Sequence, residues 1–157
     1  MRTLILGLGN PILRDDAIGL HVVRALRPVL AGRDGIDLEE DSHGGLRLME
    51  RMIGYDRAII LDAIITGAEP GTVHVMASLD APTQHCASTH DVNLPTALAV
   101  GRQAGAPLPA DGDILIVGVE AVDVMSFDEV MSPEVARAVP HAVEAVMHAL
   151  REERWRS

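Results

Sequence analysis

Apolar residues along this chain fall into two alternating rhythms. Short unbroken runs, Leu4-Ile5-Leu6, Ala58-Ile59-Ile60-Leu61 and Ile114-Leu115-Ile116-Val117-Gly118-Val119-Glu120, have the continuity of strands buried on both faces. Elsewhere the spacing widens to three and four. Ile18, Val22, Val23 and Leu26 mark one helix, and Val135, Ala138, Val139, Ala142, Val143, Val146 and Leu150 mark another. A further strand is expected over 36–40, after which Gly44-Gly45 opens a helix carrying Leu46, Leu48, Met49 and Met52. Glu69-Pro70-Gly71-Thr72 has the proline and glycine placement of a type II turn, leading into a strand at 73–76.

Punctuation residues set the expected boundaries. Pro28 ends the first helix, Asp62 terminates the third strand, and 94–105 is a helix that tolerates Pro95 in its first turn. Residues 77–89 lack periodicity and read as a loop returning to the active edge of the sheet, with His90 at its end. In the last helix Ser132 caps, Pro133 takes the first position and Pro140 bends the axis. The pattern predicts an α/β fold: a single-domain, three-layer arrangement with a mainly parallel, twisted five-stranded sheet, helices on both faces, and 72–76 as the antiparallel or edge element.

Composition narrows the picture. At 157 residues and 48% hydrophobic content the chain suits one domain with a substantial core. With only Phe127, Trp155 and Tyr55 as aromatics, that core is aliphatic, and the stacking platforms of single-stranded nucleic-acid binders are missing. A net charge of −10 also argues against a nucleic-acid partner; the arginines of the tail, 151–156, read as a solvated helix end. Cys86 is the sole cysteine, which excludes an internal disulfide and a multi-cysteine zinc site and suits a reducing compartment. The N-terminus has no signal-peptide pattern, and no apolar run approaches a bilayer span, so the expectation is a cytoplasmic protein with no membrane association.

The candidate chemistry begins in Gly7-Leu8-Gly9-Asn10-Pro11-Ile12-Leu13-Arg14-Asp15-Asp16-Ala17-Ile18-Gly19, where a glycine turn closes a strand and hands an acidic pair to a helix start. A dinucleotide fingerprint would need a third glycine at position 12, which is Ile12, and Asp15 and Asp16 would repel a pyrophosphate. The acidic loop suits a cation, or one of the two aspartates caps the helix. Asp16 after the first strand, Asp62 at the end of the third and His90 before the third helix fall at the same sheet edge. Two carboxylates and an imidazole make a ligand set for a borderline divalent metal such as nickel or zinc; the alternative is ordinary polar residues at strand ends. There is no His-Glu-x-x-His helix, and nothing marks Ser88 or Cys86 as an activated nucleophile.

These blocks, together with Leu61-Asp62-Ala63, Pro70-Gly71-Thr72, Ser88-Thr89-His90-Asp91-Val92-Asn93-Leu94 and Gly118-Val119-Glu120, resemble the hydrogenase maturation endopeptidases in order and spacing across nearly the whole chain. The resemblance implies one protease domain over 1–157, with Asp16, Asp62 and His90 as the nickel-binding and catalytic residues. It implies an enzyme, a hydrolase, that removes a short C-terminal extension from a nickel-iron hydrogenase large-subunit precursor after nickel insertion. The nickel belongs to the substrate and other divalent metals can take its place; the protease itself is expected to be a monomer. Two chemical steps remain open: Lewis-acid hydrolysis by the metal, or Asp16 or Asp62 as base or nucleophile.

One junction departs from the family. Where an aspartate, glycines and a threonine are usual, this chain reads Asp41-Ser42-His43-Gly44-Gly45, and His43 is left outside the metal set. Glu120 either contacts substrate or caps a turn. Competing functions are a non-catalytic nickel carrier or precursor-binding chaperone using the same ligands, and a peptidyl-tRNA hydrolase, whose opening Gly7-Leu8-Gly9-Asn10-Pro11 resembles. The latter family continues with Thr-Arg-His-Asn, whereas this chain has Leu13-Arg14-Asp15-Asp16 and the wrong charge for tRNA.

Overall fold

A computed structural model describes residues 1–77, 79–87, 92–153 and 155. The strands are β1 (Thr3–Leu8), β2 (Ile36–Asp41), β3 (Arg57–Ile64), β4 (Val73–Met76) and β5 (Ile114–Glu120). The helices are α1 (Ile18–Leu30), α2 (Gly45–Arg51), α3 (Leu94–Gln103), α4 (Pro133–Ala136) and α5 (Val139–Arg151). One sheet takes the order β2-β1-β3-β5-β4, parallel except for β4, which lies antiparallel to β5 at the edge.

Alternate residues of each apolar run feed different cores, which is why the runs are unbroken. Ile5, Ile59, Leu61, Leu115 and Val117 pack against α1 and α5; Leu4, Leu6, Ile60, Ile114 and Ile116 pack against α2 and α3. These two clusters are the outer seams of three layers. From β1 the chain moves outward to β2 and then crosses back to β3 on β1's other side, so the strand order reverses between β1 and β3. In open α/β sheets ligand crevices form outside the carboxyl ends of the strands at such a point.

Several boundaries differ from expectation for local reasons. Pro28 lies inside α1, on its exposed side, and the helix persists to Leu30, whose buried side chain holds the last turn on the core. A proline this close to a helix end removes little of the hydrogen-bond ladder. Asp62 does not end β3: pairing with β1 stops at Gly7↔Leu61, but pairing with β5 runs on to Ile64↔Glu120. Asp62 is therefore the first residue of β3 left without a β1 neighbour. The last helix divides in two at 137–138 rather than bending, because Pro140 has no N–H for the next rung. The tail is not simply solvated: Trp155 is 4% exposed, its indole donates to Ala149 O at 2.9 Å, and the Arg57 guanidinium stacks 3.7 Å from its ring. The type II turn forms as expected, with Gly71 at φ 86 and Thr72 N donating to Glu69 O at 3.1 Å.

Candidate active site

The loop after β1 is built around its backbone. Gly9 has φ +155, and a Cβ there would lie 2.1 Å from Asp16 O, so only glycine permits the loop to fold onto the segment that follows. Arg14 takes φ 44, held by its N–H donating to Asp128 O at 2.9 Å. The resulting turn leads Asp15 and Asp16 in different directions. Neither caps a helix with its side chain.

Asp15 is fully enclosed and wholly engaged. Its Oδ1 accepts from Ser132 N (2.7 Å), and its Oδ2 accepts from Val122 N (3.0 Å), Asp123 N (2.9 Å) and the Ser132 hydroxyl (2.9 Å). Ser132, expected to cap α4, thus spends its hydroxyl on Asp15 and makes no side-chain cap. This carboxylate fastens the loop after β5 to the loop after β1. Beside it, that β5 loop presents Met125 and Phe127, 80% and 83% exposed.

Asp16 has one such partner among the described residues, the Asn10 N–H at 2.8 Å from Oδ2. Across the strand-order reversal stands Asp62, also buried. Its Oδ1 accepts from Ala63 N (3.0 Å), and Oδ2 accepts from the backbone N–H of His85 (2.6 Å). The His85 ring lies between the two carboxylates: Nδ1 is 2.8 Å from Asp62 Oδ1, and Nε2 is 3.9 Å from Asp16 Oδ2. His85 is fixed by its surroundings as well. Thr83 bridges to Ile64 of β3, Gln84 N donates to Ala63 O at 2.9 Å, and a Cβ on Gly44 would meet His85 O at 2.3 Å. The first glycine of the departing motif is therefore needed for close approach, since Gly44 at the head of α2 lies against the His85 backbone.

Charge and burial oppose one another here. Burial raises the Asp16 pKa above the ordinary aspartate value, against the opposing influence of His85 and the Asn10 N–H, and the Asp62 charge raises it further. For His85 burial disfavours the imidazolium, yet the hydrogen bond to Asp62 and the charges of Asp62, Asp16 and Asp41 outweigh it and raise its pKa. Two partly desolvated aspartates facing one imidazole form a site short of positive charge.

The structure thus brings Asp16 and Asp62 to one place, as expected. His90 lies outside the described residues. The sequence reading missed His85, although it placed the 77–89 loop at the active edge; a histidine in that loop was the available signal. His43 turns to Asp41, with Nδ1 2.7 Å from Oδ1. Glu120 is engaged by the segment after β3 and by β4. It accepts from Thr66 N (2.7 Å) and the Thr66 hydroxyl (2.6 Å), and His74 Nε2 lies 3.1 Å from Oε1. Cys86 is buried, and burial pushes its thiol pKa well up, the opposite of an activated nucleophile. Among the described residues no group of three or more His, Cys, Asp or Glu side chains is arranged to hold a metal ion. Among the described residues no helix is long and apolar enough to cross a membrane.

A family model described as hydrogenase maturation protease matches residues 20–149. This chain belongs to that family. It is 31% identical over 155 residues to the hydrogenase 2 maturation protease of Escherichia coli (strain K12), covering 97% of this chain and 92% of the relative. It is 26% identical to the hydrogenase expression/formation protein HupD of Rhizobium leguminosarum bv. viciae, covering 96% and 74%. Among solved structures, the hydrogenase maturating endopeptidase HybD from E. coli superposes with a TM-score of 0.76 at 30% identity, covering 96% and 93% of the two chains. The [NiFe] hydrogenase maturation protease HybD from Thermococcus kodakarensis gives a TM-score of 0.66 at 25% identity, covering 97% and 100%. The family membership makes this chain a hydrolase, an endopeptidase of hydrogenase maturation.

Proposed function

We propose that this enzyme removes a short C-terminal extension from the precursor of a nickel-iron hydrogenase large subunit once nickel has been inserted, and that the substrate-held nickel is the feature it recognises. The observation that carries this reading is the pair Asp16 and Asp62, buried on either side of the strand-order reversal with His85 between them. A peptide alone brings no compact cation to neutralise those carboxylates. A nickel ion that arrives already bound to the precursor does, and the scissile bond tethered to it is then held within reach. Asp16, Asp62 and His90 form the nickel-facing and catalytic set; once the ion is seated, the carboxylates are the groups placed to take a proton from the attacking water. Cleavage breaks the C–N bond of one peptide unit and adds water across it.

The acting unit is a monomer, one domain over residues 1–157, working in the cytoplasm without nucleic acid or membrane; the net charge of −10 supports the lack of a nucleic-acid partner, and the single buried thiol suits a reducing compartment. The test uses one precursor preparation, split before and after nickel insertion and freed of unbound metal. The expected result is mass loss from the C-terminus of the nickel-loaded portion only. Equal cleavage of both portions rejects nickel-dependent recognition, and cleavage of neither rejects the substrate.

A further inference from the structure

The mechanism assigned above uses two aspartates and His90, and it leaves unexplained the imidazole held between those aspartates. The His85 side chain is anchored at Nδ1, which meets Asp62 Oδ1 at 2.8 Å while its own backbone N–H donates to the other oxygen of the same carboxylate at 2.6 Å. Among the described residues no hydrogen bond reaches Nε2. This nitrogen faces Asp16 Oδ2 across 3.9 Å, too far for a hydrogen bond. One divalent ion bound by a nitrogen and an oxygen at about 2.0–2.2 Å each reaches both atoms across such a gap. A carboxylate on one ring nitrogen and an open second nitrogen is also the arrangement by which proteins orient a metal-ligating histidine, since the carboxylate fixes the ring and leaves the other lone pair pointing outward.

We propose that His85 meets the substrate's nickel through Nε2, sharing it with Asp16, and that Asp62 serves the ion partly as the carboxylate that orients His85. The inference rests on the nickel-recognition reading above. Two donors hold an ion only weakly in the free protein, in keeping with the lack of a three-residue group among the described residues. They suit an ion that arrives with ligands from another molecule and needs its remaining positions filled. The ring is already held at Nδ1 by Asp62, and the His85 backbone is seated against Gly44, so little ordering is required when the ion arrives.

The test titrates NiCl2 into the free protein and follows two signals: calorimetric affinity and the ring-nitrogen resonances of 15N-histidine-labelled protein. In wild type the His85 Nε2 resonance is expected to be broadened or shifted strongly by Ni(II). His85→Asn retains an amide donor near the Nδ1 position, so the Asp62 contact survives, but has no nitrogen where Nε2 stands; it should bind Ni(II) about ten- to a hundredfold more weakly with an unchanged circular dichroism spectrum. Asp62→Asn should weaken binding too and alter the His85 resonances before metal is added. Unchanged or tighter Ni(II) binding by His85→Asn, or a wild-type His85 resonance unmoved at saturating Ni(II), overturns the proposal; tighter binding would identify the ring as a competitor for the carboxylates. Precursor cleavage by wild type is scored separately. Cleavage that persists while the Ni(II) result fails removes His85 alone, whereas failure of wild type to cleave nickel-loaded precursor removes the parent reading.

Discussion

Asp15 and Asp16 are chain neighbours, both buried and both drawn from one acidic pair, yet they do opposite work. Asp15 receives four hydrogen bonds, all from the segment 122–132, and has no capacity left for a ligand. Among the described residues Asp16 receives one backbone hydrogen bond and faces an imidazole nitrogen it does not bond. Burial is similar, so burial alone does not separate a structural carboxylate from a functional one. The number of donors already satisfied does. A buried carboxylate saturated by N–H and O–H groups stabilises the fold, whereas one left short of donors stores an unmet demand for positive charge that a ligand can answer.

The largest effect should come from breaking the functional half of the pair. Asp16→Asn is expected to lower precursor processing by about 10²–10⁴-fold, the range for losing a directly acting acid or base group. Stability should not fall. Because burial raises the Asp16 pKa, its favourable contribution is present only below the ordinary aspartate value and is lost as the pH rises through the folded value; at neutral pH the charge is a burden that Asn removes. A thermal melt showing a clear decrease, or processing at the wild-type rate, would break the contrast.

Asp15→Ala is the converse. It leaves Val122 N, Asp123 N, Ser132 N and the Ser132 hydroxyl without their acceptor and should cost about 2–4 kcal/mol of unfolding free energy in urea titrations. Any activity lost should follow the folded fraction and return when the variant is assayed well below its melting temperature. Wild-type stability in this variant would mean that the four hydrogen bonds are replaced at no cost by water.

The same comparison shows how far the sequence could be read. The sheet with helices on both faces was legible, because a strand covered on two faces must be apolar at every position, and Ala58 to Leu61 and Ile114 to Val117 are. Asp16 and Asp62 were legible as a pair because they follow strands that end at one edge. Asp15's role was not, since its partners lie over a hundred positions away and are mostly backbone groups, which carry no residue signature. His85 was hidden for a related reason: the bridge between Thr83 and Ile64 that delivers it to Asp62 follows no periodicity. Proline was over-read at Pro28, where burial of Leu30 outweighs one lost hydrogen bond, and under-read at Pro140, where the missing N–H separates two helices. Arg57 and Ala149 draw in Trp155 from a tail whose arginines suggested solvent.

A third buried carboxylate extends the contrast with a smaller effect. Glu120 ends β5 on the same face as Asp62, and burial would raise its pKa, but hydrogen bonds from Thr66 and His74 prevail and lower it. By the donor criterion it belongs with Asp15. Glu120→Gln keeps an acceptor for the Thr66 hydroxyl and turns an amide against the Thr66 N–H, so a loss of about 1–2 kcal/mol is expected with processing by the folded protein unchanged. A processing defect at full folding would move Glu120 into the active site.

The smallest predicted effect separates the two kinds of carboxylate by the direction in which they respond to acid. Asp41 ends β2 and joins the loop after β1 to α2: its carbonyl accepts from Gly9 N at 3.0 Å, Oδ1 from Ser42 N at 2.7 Å, and Oδ2 from Arg51 Nε at 2.7 Å. Burial works against its charge, but the hydrogen bonds from His43, Arg51 and Ser42 bring its pKa down to about 2. A lowered carboxylate pKa supplies stability above the unfolded value of about 3.8 that is lost as the pH falls through about 2. Asp16 has the opposite sign, its raised pKa making acid favourable to the fold until the unfolded aspartate is protonated as well. Urea midpoints measured from about pH 2 to pH 7 should therefore decline less on acidification in Asp41→Asn than in wild type, by about 1 kcal/mol or less after solvent screening. In Asp16→Asn they should decline more, because the compensating protonation is gone. Parallel curves for all three proteins would show that donor count does not set the sign, and the distinction between a saturated and an unsaturated aspartate would then rest on geometry alone.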